Sequence, residues 1–122
     1  MNPAIYLLFL LLAKHLVCDG FLQTKTMVAC KGIYGNGLGI LHSLVHGIGT
    51  CLALLLFGAG GLVAAAVALF DFVFHYHVDF VKENVVRRQG WTVANPQFWW
   101  ALMTDQFIHN VTYLGIAAYV AG

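Results

Sequence analysis

His15 and Asp19 stand four residues apart, and so do His42 and His46, His75 and Asp79, and Asp105 and His109. On an α-helix that interval stacks two side chains on one face, near enough to share a ligand. Two imidazoles so spaced grip zinc in the H-E-x-x-H helix, and carboxylates supply oxygen donors to the same kind of site. All six histidines fall within apolar stretches. An ionisable side chain at the centre of a membrane span costs about 2.5–3.5 kcal/mol, and only Lys14 and Lys82 offer a cation within those stretches. Metal ions are the expected partners, because site binding energies reach roughly 10–16 kcal/mol for zinc peptides. Asp19, Asp79 and Asp105 supply three negative charges, which two divalent ions and one bridging hydroxide neutralise. The expected cofactor is therefore a pair of divalent ions, zinc first and iron or manganese next. Their expected ligands are His15, Asp19, His42, His46, His75, Asp79, Asp105 and His109.

Other polar residues flank these pairs. Asp71 lies one turn before His75 and is expected to orient it or to transfer protons, and Asp105 is the other carboxylate placed for proton transfer. Gln23 continues the His15–Asp19 face and Tyr113 the His109 face; Gln106 and Asn110 sit beside Asp105 and His109. All four are expected to hydrogen-bond ligands or touch substrate. His77 points away from His75 and is left outside the site. Gly39, Ser43 and Gly47 form a small-x-x-x-small stripe suited to close helix packing. Cys18, three residues from His15, is a marginal ligand; with no C-x-x-C spacing, Cys18, Cys30 and Cys51 read as free thiols.

Positioning these residues falls to apolar helices. The 122-residue chain is 61% hydrophobic and 9% charged, against about 45–50% and 25% for soluble domains. That excludes a soluble globular enzyme, a nucleic-acid binder and a disordered tail; a net charge of +1 gives no field to hold a phosphate backbone. Four apolar segments, near residues 3–23, 38–57, 62–82 and 96–121, are separated by Gly, Asn, Pro and charge. Each approaches the ~20 residues a span requires, and none alternates with period two as a β-barrel strand does. The expected fold is one all-α domain, an integral membrane four-helix bundle. Pro3 suits a first helical turn, and Asn95-Pro96 reads as a cap and first-turn pair. The apolar run after Met1-Asn2-Pro3 lacks the basic start and cleavage site of a signal peptide, so it reads as a retained span.

Lys25 and Lys31 lie in the first connection, and Arg87 and Arg88 in the third. The positive-inside rule places both connections in the cytoplasm and both termini outside, which implies a bacterial inner membrane. These four residues also sit where an anionic lipid headgroup lies. The His/Asp pairs fall at matched depths in the cytoplasmic half of the spans, whereas the outer halves are almost wholly apolar.

The ordered set His15-x-x-x-Asp19 with Phe21-Leu22-Gln23-Thr24, His42-x-x-x-His46, His75 with Asp79, and Asp105-Gln106-x-x-His109 resembles the small bacterial and phage membrane proteins grouped as domain of unknown function 3307. The likeness extends over nearly the whole chain. More loosely, the arrangement resembles membrane-embedded metal-dependent hydrolases. The leading expectation is a hydrolase of a lipid or lipid-linked substrate at the cytoplasmic side. The alternatives are a di-iron oxygenase or desaturase, a proton or metal conduit, and a small accessory subunit. Membrane lipid is the expected partner, with a homo-oligomer or membrane complex also compatible and nucleic acid excluded.

Overall fold

The computed structural model describes residues 2–122. Helices α1 (Pro3–His15), α2 (Lys25–Cys30), α3 (Gly37–Phe57), α4 (Gly61–Gln89) and α5 (Pro96–Ala121) make up the fold, and among the described residues there is no strand. A π-helical turn, Leu16–Phe21, extends α1 without a break. The segments Pro3–Phe21, Gly37–Phe57 and Gly61–Gln89 are long and apolar enough to cross a membrane. Helix α5 is long enough at 26 residues, but Gln97, Thr104, Asp105, Gln106, His109 and Asn110 dilute its apolar content. The count is thus five helices rather than four. The unexpected one, α2, is a single short turn capped by Thr24, whose hydroxyl accepts from the Met27 N–H at 3.1 Å.

Helix boundaries follow local chemistry. Asn2 caps α1 by accepting from the Ala4 N–H, and Asn36 caps α3 by accepting from the Leu38 N–H. Gly58 and Gly90 end α3 and α4 in the left-handed region, with φ of 102° and 68°, a conformation that L side chains resist. Helix α4 runs to Gln89, beyond the expected stop at Lys82. Lysine, glutamate and arginine are good helix formers, so charge marks the exit from hydrocarbon and not the end of the helix. Asn95 does not cap α5: its side chain accepts from the Thr92 N–H at 2.8 Å and closes the preceding turn.

The burial pattern is inverted relative to a water-soluble protein. His42, His46, His75, His109, Asp71 and Asp105 are at most 3% exposed, whereas Phe9, Leu56, Leu62, Phe107 and Tyr119 are 63–86% exposed. Polar groups turned inward and apolar ones outward is the arrangement a lipid solvent imposes. The interior has two layers. Leu7, Leu11, Ala53, Leu54, Ala64, Ile116 and Ala117 form an apolar layer with the Tyr113 ring, and the histidines and aspartates fill the other. The small-residue stripe does pack closely. A Cβ on Gly47 would come within 3.3 Å of the Ala68 carbonyl on α4, and one on Gly39 within 3.2 Å of the Cys30 carbonyl.

Candidate metal centre

Each long helix delivers its pair to one interior. Asp19 accepts on Oδ1 from His46 Nε2 at 3.2 Å, and His42 Nε2 lies 3.2 Å from the same oxygen. Asp79 gathers His75 Nε2 at 3.1 Å and His109 Nε2 at 3.3 Å. His109 Nε2 is also 3.1 Å from Asp105 Oδ1, and His15 Nε2 is 3.5 Å from Asp19 Oδ2. The rings of His46, His75 and His109 stack in a column, with centroid spacings of 3.8 and 4.0 Å. All eight expected ligands thus join one contiguous network.

Within that network two subsets have donor atoms close enough for one ion. One is Asp19, His42, His46 and His75; the other is His75, Asp79 and His109; in each, the donors lie within 4.8 Å of one another. Two imidazoles and a carboxylate suit zinc, iron or manganese alike. His75 belongs to both subsets, and a neutral imidazole has one lone pair to give. It therefore serves one subset at a time. His15 and Asp105 fall outside both. His15 Nδ1 lies 3.0 Å from the Tyr113 hydroxyl and Nε2 lies 2.7 Å from Gln106 Oε1. Asp105 Oδ2 accepts from Gln106 Nε2 at 3.3 Å.

Asp19 reaches the centre through the π-helical turn. Val17 and Gly20 are weak helix formers, and the turn closes with an i+5 bond from the Leu22 N–H to the Val17 carbonyl at 2.9 Å. One extra residue per turn re-aims a side chain, a device common at functional sites.

The flanking residues divide. Gln106 is a hub, donating from Nε2 to Asp19 Oδ2 at 3.0 Å as well as facing His15. Tyr113 holds His15. Gln23 donates only to the Asp19 backbone carbonyl, at 3.0 Å, because the π turn carries it past the ligand face. Asn110 is exposed on α5 and faces away from the cluster. Asp71 does not orient His75. It accepts from Lys14 Nζ at 3.1 Å and from the Thr50 hydroxyl at 2.5 Å, across to α1 and α3. His77 lies outside the site, its Nε2 3.0 Å from the Tyr34 hydroxyl. Cys18 faces the Val45 carbonyl and not the ligands, and all three cysteines are free.

Three lysines enter the interior. Lys14 also donates to the Tyr113 hydroxyl at 2.9 Å, and its Nζ lies 3.2 Å from His46 Nδ1. His46 Nε2 faces Asp19, on the side of the candidate metal ligands. Gly49 makes room for this lysine: a Cβ there would lie 2.6 Å from Lys14 Cγ. Lys31 is buried as well, with Nζ 3.3 Å from Asp79 Oδ2. It is an interior cation and not a headgroup contact; Lys25, Arg87 and Arg88 are exposed. Lys82 pairs with Glu83 at 2.6 Å and lies 4.0 Å from Asp105. Among the described residues Asp19 is the one aspartate with no lysine or arginine partner. Sequence reading missed Thr50, the Lys14–Asp71 pair and the burial of Lys31 against Asp79. Thr50 was findable, since it continues the His42–His46 face by one more turn.

An all-helical protein with three helices able to cross a membrane, enclosing a histidine–aspartate cluster, is the class this architecture defines. The chain belongs to the family described as protein of unknown function (DUF3307), which matches residues 7–121. No curated protein and no solved structure matches it, and the looser likeness to membrane metal-dependent hydrolases finds no support in these comparisons.

Proposed function

We propose that the chain is a four-span membrane-embedded metal-dependent hydrolase of the bacterial inner membrane, acting at the cytoplasmic side on a lipid or lipid-linked substrate. The observation that carries this reading is the quartet Asp19, His42, His46 and His75, three buried imidazoles and a half-buried carboxylate whose donor atoms lie within 4.8 Å of one another. A divalent ion held there supplies Lewis acidity and a water activated at neutral pH.

One ion is favoured over the pair expected from the sequence. The Lys31 ammonium already faces Asp79 in the second subset, and His75 cannot serve both. Lys14 and Lys31 pair with Asp71 and Asp79, and Lys82 is shared between Glu83 and Asp105, which leaves Asp19, the carboxylate of the quartet, with no lysine or arginine partner among the described residues. One divalent ion then leaves the centre with one positive charge, suited to a hydroxide or an anionic substrate oxygen. Asp105, beside His109 and Gln106, is the carboxylate placed to move a proton; Asp71 is committed to Lys14 and Thr50. A di-iron oxygenase needs the second subset filled, and Lys31 stands against it. A conduit needs polar groups through to the outer face, and the apolar layer around Leu7, Leu11 and Leu54 stands against that.

The test is elemental analysis of the protein purified in detergent, followed by a screen of lipid esters and phosphates. Wild type is expected to hold about one zinc, manganese or iron per chain, and His46→Ala and His42→Ala to lose it. Lys31→Met, which empties the second subset of its ammonium, is expected to leave the stoichiometry at about one, because His75 serves only one subset at a time. Wild-type protein that takes up none of the three metals overturns the proposal.

A further inference from the structure

Helices α4 and α5 part at their cytoplasmic ends and leave a groove of about 540 Å³, within the ~300–1,000 Å³ range of small-ligand sites. Val81, Val85, Ala101 and Ile108 wall it, and Trp91 and Trp100 stand at its rim. Its floor is different. Lys82 and Asp105 line it directly, and Asp105 Oδ1 is 3.1 Å from His109 Nε2. The groove therefore runs from the lipid-facing surface to the edge of the histidine–aspartate cluster. Arg88, exposed, continues the helical face of Val81 and Val85 toward the cytoplasmic end.

We propose that this groove seats one acyl chain of an anionic phospholipid, with the phosphate between Lys82 and Arg88 and the adjoining ester or phosphate bond beside Asp105. The idea rests on the hydrolase reading for its chemistry, but the binding stands apart from it. The wall is apolar and open to the side, so it suits a chain that arrives from within the bilayer. Tryptophans mark the headgroup level, and the two cations at that level select negative charge. The other grooves lack this combination. The one bounded by Val67, Phe70 and Tyr119 has no charged residue, and the one bounded by Val17, Ile48 and Leu52 reaches only the buried Lys14 and has no tryptophan in its lining.

The experiment reconstitutes the full chain in phosphatidylcholine vesicles containing a minor share of phosphatidylglycerol. Either lipid carries a photoactivatable diazirine on one acyl chain, and adducts are mapped by mass spectrometry. Adducts are expected to concentrate on Val81–Val85 and Ala101–Ile108. Phosphatidylglycerol is expected to label about fivefold more than phosphatidylcholine for each basic side chain engaged. Lys82→Met with Arg88→Gln is expected to erase that preference. Ala101→Trp, or Thr104→Trp should the first misfold, is expected to block labelling by filling the groove. Wild-type adducts spread evenly over the lipid-facing residues of every helix overturn the proposal, as does labelling unchanged in a folded filled variant. Metal content is measured on the same samples. Bound metal with scattered adducts removes the groove alone, and groove adducts without metal remove the hydrolase reading alone.

Discussion

Asp71 and Lys14 show how far a side chain's meaning depends on what lies across from it. Both are buried, and each satisfies the other, with Thr50 and Tyr113 completing their hydrogen bonds. Removing one member of such a pair leaves an uncompensated charge and costs about 3–5 kcal/mol, whereas removing both is far milder. Lys14→Met is therefore expected to lower thermal stability in detergent sharply, and Lys14→Met with Asp71→Asn to recover most of the loss. Equal losses in the single and double variants would show that the two do not act as a pair. The eight i, i+4 residues of the cluster were legible in the sequence because spacing alone puts each pair on one face. Their partners were not. That Asp71 turns to Lys14 rather than to His75 depends on how α1 and α4 sit together, and so does the burial of Lys31 against Asp79. A basic residue in a connection reads as a topology signal until a short helix such as α2 folds it inward.

Among the elements, the long helices were readable and the irregular ones were not. The limits of α3 and α5 follow from Asn36, Gly58 and Pro96, residues whose backbone preferences are strong. The π turn has no such mark. Val17, Cys18 and Gly20 weaken the helix there, but only the pull of Asp19 toward His42 and His46 gives the distortion its direction. Val17 is exposed, so its deletion removes the extra residue without opening the interior. The shortened variant is expected to keep its helical circular dichroism while losing metal affinity at least tenfold, as Asp19→Ala does. Full affinity after the deletion would mean that the widened turn has no part in aiming the carboxylate. The end of α4 was misread for a simpler reason, since hydropathy reports where a helix leaves lipid and glycine reports where it ends.

At the level of the whole molecule, the inward-facing polar groups and outward-facing Leu, Phe and Val agree with the composition that first excluded a soluble domain. Lys25, Lys31, Lys82, Arg87 and Arg88 all gather at one end of the bundle, opposite the Gly58–Gly60 connection. In the proposed orientation, which follows the positive-inside rule, that end faces the cytoplasm. A phosphatase fused after Gly122 is expected to be active, as it is only when exported, and one inserted between Gly90 and Asn95 inactive. The reverse pattern would invert the orientation and place the histidine–aspartate layer under the opposite leaflet. The two-layer interior carries a further consequence for a cell that stores energy as a proton gradient. The layer of Leu7, Leu11, Leu54, Ala64 and Ile116 has no group that can pass a hydrogen onward. Under the proposed reading it insulates a pocket crowded with exchangeable hydrogens, so that hydrolysis there would draw on one compartment without short-circuiting the charge held across the bilayer.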